Sequence, residues 1–200
     1  MVERGRPRAF DRDAALRRAM ELFWARGYEG TTIGDLTAAM GINRPSLYAS
    51  FGCKEALFEE AAVLYDRVES AGVKQAVAAA PTARQAVDAL LRLNARAFTS
   101  GDRPPGCLIV LSALLGTPDN AGVRDFLART RRAGELELKQ RIERGIRDGD
   151  VDPATDAEKL AGFYTAVLQG LSVQARDGAD AAALDRIVDA AMAAWDVAGR

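Results

Sequence analysis

Arg44, Pro45, Ser46, Tyr48, Ala49 and Ser50 fall on one outward side of a short segment whose other side is Leu47 and Phe51. A guanidinium, hydroxyls and a phenol crowded onto barely two helical turns do not form a catalytic set. They suit non-covalent reading of a duplex: arginine forks onto guanine edges, and hydroxyls and backbone N–H groups meet phosphates. Catalysis lacks its usual tools. The chain has no histidine, so a Ser-His-Asp or Cys-His triad is excluded, and with it the commonest metal ligand. No phosphate loop, nucleophile elbow or carboxylate pair stands in a recognisable setting, and Asp and Glu mostly alternate with Arg along helix surfaces. No enzymatic activity, metal or cofactor is expected.

The elements that hold this surface follow from the flanking pattern. From about Asp13, Leu16, Ala19, Met20 and Phe23 recur at helical spacing, and Gly27 ends that helix. Thr31 or Thr32 caps a second helix carrying Ile33, Leu36, Thr37 and Met40. Gly41 supplies a turn, and Ile42 returns to the core. Asn43 caps the third helix, with Pro45 in its first turn, where a missing N–H costs little. The stretch TTIGDLTAAMGINRPSLYASFGCK, Thr31 to Lys54, is therefore two short helices joined by a tight turn. Its spacing favours a recognition helix over the alternative, an ordinary helix–loop–helix corner; salt-sensitive DNA binding separates a DNA reader from a helical protein-interaction module.

The rest of the 200 residues also reads as helical: 48% are hydrophobic and 28% charged, and no run alternates with period two. A long helix starts at Lys54 with Leu57, Ala61, Leu64 and Val68, and is expected to continue to Ala80, before Pro81. Thr82 to Gln85 is a capping box. Cys107–Leu115 is expected as a short buried helix. Val123 to Ile146 marks a helix closing at Gly149, with a bend expected at Gly134. Thr155 and Glu158 form the box for the next, and Leu184 to Trp195 marks the last. The expectation is an all-α chain of about nine helices. The most apolar run is far short of the ~20 residues that cross a bilayer, and the N-terminus has no apolar leader. Free Cys53 and Cys107 match neither a zinc site nor a disulfide framework. A cytoplasmic location and no membrane partner are expected.

The segment from Ala14 to Leu64 resembles the N-terminal domain of the TetR family of bacterial transcription regulators. It carries an aromatic near the end of the first helix, then Gly27-Tyr28-x-x-Thr31-Thr32, Leu36-Thr37 before Gly41-Ile42, Ser46-Leu47-Tyr48-x-x-Phe51 and Lys54-Glu55-x-Leu57, in order and without gaps. The resemblance implies a TetR-like fold, with a DNA-binding domain in residues 1–54 and an effector-binding and dimerisation domain in 55–200. It implies that Thr31 and Thr32 bind phosphate, that Asn43, Arg44, Pro45, Ser46 and Tyr48 lie on the major groove, and that Lys54 meets the backbone. Ile33 and Gly34 stand where many relatives carry a polar residue, which leaves the Gly34 backbone to approach DNA. Arg4, Arg6, Arg8 and Arg12 are either a solvated terminus or a basic arm reaching the duplex.

By the same resemblance the chain is a homodimer through its last two helices, whose Ala161, Gly162, Ala166 and Gly170 permit close approach. The resemblance implies a repressor that a small effector releases from a palindromic operator, and the few polar atoms among the candidate effector residues point to a lipophilic or aromatic one. Candidate effector residues are Tyr65, Phe98, Cys107, Leu111, Phe126, Thr130, Tyr164 and Gln169, each with ordinary core packing as its competing reading. Cys53, at a helix N-terminus beside Lys54, offers a second kind of switch, thiol oxidation at the DNA contact.

Overall fold

A computed structural model describes residues 10–198, with side chains through residue 195; Arg4, Arg6 and Arg8 lie outside the described residues. The described chain is all helical. It runs α1 (Arg12–Arg26), α2 (Ile33–Met40), α3 (Arg44–Phe51), α4 (Lys54–Glu69), α5 (Ala71–Ala79), α6 (Ala83–Phe98), α7 (Leu108–Leu111), a 3-10 turn (Pro118–Asn120), α8 (Ala121–Asp148), α9 (Ala157–Arg176) and α10 (Ala181–Ala198).

The count is ten α-helices because the helix expected from Lys54 to Ala80 divides at Ser70. Ser70 ends α4 and begins α5 without capping either with its side chain. Serine and the nearby Gly72 are weak helix formers, so the backbone yields there. The bend swings α5 onto α6, and Lys74 spans it to Asp66 at 2.6 Å. Three other boundaries also moved. α1 is capped by Asp11, whose carboxylate accepts from Ala14 N–H. α9 is capped by Asp156, while Thr155 is buried with no partner for its hydroxyl among the described residues. The apolar run after Cys107 is helical for one turn only, and Leu114 and Leu115 are exposed. α8 passes through Gly134 without a break and ends at left-handed Gly149.

Two apolar cores form. The first gathers α1 to α4 around Phe23, Phe58 and Tyr28, and takes in Leu108, Ile109, Val123 and Leu127. Its aromatic rings meet edge-on, Phe23–Phe58 at 5.0 Å and Tyr28–Phe58 at 5.2 Å. The second lies among α6, α8, α9 and α10, around Leu91, Ile142, Tyr164, Leu171, Leu184 and Trp195. Cys107 packs against both.

Polar bonds join the two halves at the end of α1. Trp24 Nε1 donates to the Gly106 carbonyl at 2.9 Å, and Tyr28 N–H to the Ser112 carbonyl at 2.9 Å. Arg176, in the last turn of α9, donates to the Trp24 carbonyl at 2.7 Å and the Ala25 carbonyl at 3.3 Å. Gly106 is irreplaceable by size and by φ. Its φ is +77°, and a Cβ would fall 2.7 Å from the Ser172 carbonyl oxygen. Gly106→Ala should therefore cost about 2 kcal/mol or more. A Cβ on Gly134 meets nothing within 4 Å, so Gly134→Ala should gain roughly 0.5–1 kcal/mol. Urea denaturation of both variants at one protein concentration checks the contrast.

Candidate nucleic-acid interface and effector cavity

The first turn of α2 is fixed by a capping box. Thr32 Oγ1 accepts from Asp35 N–H at 3.1 Å, and the Asp35 carboxylate accepts from Thr32 N–H at 2.9 Å and from the Thr32 hydroxyl at 2.6 Å. Those hydrogen bonds, the hydroxyl's first, hold the Asp35 carboxyl below the usual carboxylate range, and Arg26 at 3.2 Å adds to them. Thr32 remains exposed. Thr31 does not: it is fully buried, and its hydroxyl donates to the Gly27 carbonyl at 2.7 Å. The expected phosphate contact from Thr31 is thereby corrected. Its side chain closes the turn after α1 and has no surface to offer.

Gly41, at φ +68°, closes α2 through its N–H, and the Ile42 N–H donates to the Thr37 carbonyl at 3.1 Å. This tight turn throws α3 outward. Asn43 Oδ1 accepts from Ser46 N–H at 2.9 Å, Pro45 sits in the first turn, and Leu47 and Phe51 are buried against the first core. The opposite side of α3 presents Asn43, Arg44, Pro45, Tyr48 and Ala49 as exposed residues, with Ser46 and Ser50 half-buried. The structure thus brings together on one face the side chains that spacing had grouped, beside exposed Thr32 and Gly34 on α2.

Two cations have structural duties. Arg12 is no part of a free arm: it pairs with Glu60 at 2.7 Å, donates to the Ser50 carbonyl at 3.2 Å and lies 4.3 Å above the Phe51 ring. It clamps α1, α3 and α4. Lys54 opens α4 with its ammonium 4.1 Å above the Tyr28 ring. Burial lowers its pKa, partly offset by attraction to Glu29. The same neighbourhood pushes the Tyr28 phenol up to about 12, burial first and then the negative charge of Glu55. Cys53 is exposed and serves as the N-cap of α4, its Sγ accepting from Ala56 N–H at 3.4 Å.

A cavity of about 490 Å³ opens between α4, α5, α6, α8 and α9. Tyr65, Phe98, Cys107, Thr130 and Gln169 line it. Leu111, Phe126 and Tyr164 do not, and those three assignments are corrected. Leu111 covers Gly106, Phe126 packs on the first core, and Tyr164 is fully buried with its hydroxyl donating to the Ala191 carbonyl at 3.1 Å. Burial pushes the pKa values of Tyr65 and Cys107 up, so both keep their protons at neutral pH.

The cavity also has polar residues that the sequence reading passed over: Asn94, Arg131, Arg141 and Arg144. A signal was there. Arg131, Gly134, Leu138 and Arg141 follow helical spacing on the stripe that contains buried Leu138. In a helix this rich in charges, arginines read by composition as a solvated face.

The chain's relatives agree with this architecture. Residues 15–61 match the family model described as bacterial regulatory proteins, tetR family, and residues 81–191 match the tetracyclin repressor-like C-terminal domain. The HTH-type transcriptional repressor ComR of Escherichia coli is 35% identical over 96% of this chain and 92% of that protein. The repressor BdcR of Escherichia coli is 28% identical over 87% of this chain and 83% of that protein. A cysteine-substituted variant of the TetR-family regulator CifR, solved in complex with 26-bp double-strand operator DNA, superposes with a TM-score of 0.92 at 49% identity, over 96% of this chain and 100% of that one. With an exposed polar face of α3 on one side, a cavity on the other and both halves matched, the chain belongs to the TetR family of DNA-binding transcriptional repressors.

Proposed function

We propose that this chain works in the cytoplasm as a homodimer that holds a palindromic operator and lets go when a small lipophilic or aromatic effector fills the cavity. Residues 1–54 carry the DNA contacts and 55–200 the effector site and the pairing surface, with α4 as the lever between them. The observation that carries this reading is the exposed face of α3, held rigidly by a capped turn on a buried Leu47 and Phe51. Arg44 reads a guanine, while Asn43, Pro45, Ser46 and Tyr48 fill the groove around it. Thr32 and Lys54 meet phosphates. Lys54 would leave the Tyr28 ring to do so, which its flexible stem allows.

Pairing is supported by what α9 and α10 leave open. Phe163, Val173 and Ile187 are exposed apolar residues, at 43%, 38% and 37% of full accessibility. A Cβ on Gly170 meets nothing within 4 Å, leaving room for another helix. A two-fold dimer places two recognition helices on half-sites ~34 Å apart. The effector reading is supported by the apolar walls of the cavity, Val73, Leu90, Phe98, Ile109 and Leu168 among them, and by α4 running from that cavity to the N-cap beside α3.

An operator selected from random duplex DNA provides the test. On it, Arg44→Ala should cost about 1–3 kcal/mol and relax preference at one base position, while Lys54→Ala should weaken all duplexes alike and lower the salt slope by about one. A flat salt response, or an Arg44→Ala variant with unchanged affinity and preference, would remove the groove assignment.

Gly34→Ala gives a second check. Within the chain the new Cβ would meet only Thr32 Oγ1, at 3.5 Å. Thermal stability should hold or rise, while operator affinity falls several-fold if the duplex lies against α2. Unchanged affinity would place the duplex away from Gly34.

A further inference from the structure

The cavity contains one charged group that its surroundings leave incomplete. Arg141 lines it from α8. Its Nη2 donates to the Ala80 carbonyl at 3.0 Å, while its Nε and Nη1 are buried and have no hydrogen-bond partner among the described residues. Buried N–H groups of a cation without acceptors are unfavourable, and their surroundings tolerate them where an acceptor is to arrive.

The other cations on the cavity are accounted for. Lys74 pairs with Asp66 at 2.6 Å, Arg144 with Asp148 at 3.2 Å, and Arg131 donates to the Ile109 carbonyl at 2.9 Å. Glu135 faces Gly162 of α9. Glu137, one turn before Arg141 on α8, does not supply the missing acceptor. The same lining includes the aliphatic side chains of Val73, Val77, Leu90, Leu138 and Leu168.

We infer that the cavity takes a small apolar monocarboxylate, its head group on Arg141 and its body among these aliphatic side chains. This rests on the reading of the cavity as an effector site, and it names the chemistry of the effector. Nη2 has a second hydrogen, so either neighbouring nitrogen completes a two-point carboxylate contact with it. The orphaned nitrogens are closed to solvent. The guanidinium is held there by the single bond to Ala80, and turning its terminal torsions presents an N–H to the ligand. That bond reaches the end of α5, so the carboxylate also acts on the segment that continues α4.

Calorimetry on the full chain with decanoate and 1-decanol, both below their aggregation concentrations, tests the inference, with operator release followed in parallel. Wild type should bind decanoate at least about ten-fold tighter than decanol. Arg141→Met should still bind decanol but lose that preference, and Arg141→Lys should keep part of it; thermal unfolding verifies that both variants are folded. Equal binding of the two probes by wild type, a preference that survives in Arg141→Met, or no binding of either probe overturns the carboxylate assignment. If decanol releases the operator as well as decanoate does, the effector reading stands and this inference falls. If decanoate binds through Arg141 and the operator stays bound, the site stands and the effector reading falls.

Discussion

The end of α1 is the joint on which the molecule depends. A helix C-terminus leaves carbonyls without partners inside the helix. In this chain they are taken up by the other half: Arg176 of α9 covers those of Trp24 and Ala25. The cation also suits the negative end of the helix dipole. In return the α1 side supplies donors to the loop before α7 and the end of α7, through Trp24 Nε1 to Gly106 and Tyr28 N–H to Ser112. Losing either half of such a buried pair leaves the other unsatisfied, so the halves are joined more firmly than apolar contact alone would join them. α1 in turn packs on α2 and α4. The N-terminal helices do not hang from a linker. They are held at a defined angle to α7 and α9.

The same joint touches the cavity. Tyr65 lines the cavity and meets the Trp24 ring edge-on, with centroids 4.8 Å apart. Cys107 lines it too, directly after the Gly106 that holds Trp24, and its N–H donates to Ser172 Oγ of α9 at 2.8 Å. A ligand that displaces Tyr65 or the Cys107 backbone therefore pushes on Trp24 at first remove. Packed interiors transmit such displacement because they have little free volume to absorb it. The path from cavity wall to α1 is one ring contact or one hydrogen bond long.

What the sequence disclosed, and what it hid, follows the same division between local and long-range physics. The turn at Gly41, the Asn43 cap, Pro45 in the first turn and the inward Leu47 and Phe51 are set by residues within a few positions of one another, and they were legible. Thr31 and Thr32 looked equivalent as caps. Only the packing of the turn onto α1 makes Thr31 a buried donor to Gly27 and leaves the cap to Thr32. Arg12 looked like a member of a basic run because its partners, Glu60 and Phe51, lie far along the chain. Leu111, Phe126 and Tyr164 were apolar or aromatic at helical spacing, which identifies a buried face without saying whether it meets a core or a void. Arg141 shows the converse: on α8, rich in charges, composition concealed a guanidinium facing inward.

These constraints bear on how so short a helix as α3 is held in place. α3 spans two turns, and a helix of that length is not stable alone in water. Its shape comes from Asn43 at one end, Gly52 at the other and the burial of Leu47 and Phe51 between them. Its orientation comes from Arg12, which ties the Ser50 carbonyl to α1 and to Glu60 of α4. With a net charge of −1, the chain as a whole has little general attraction for a polyanion. Affinity must then come from a few well-placed groups, and their placement is inherited from α1 and α4. Because α1 is fastened to α9 and α4 borders the cavity, the angle of α3 is tied to the C-terminal half of the chain. In the proposed dimer, a small rotation of α4 in each subunit would move the two α3 helices off the ~34 Å spacing without altering any side chain on their exposed faces.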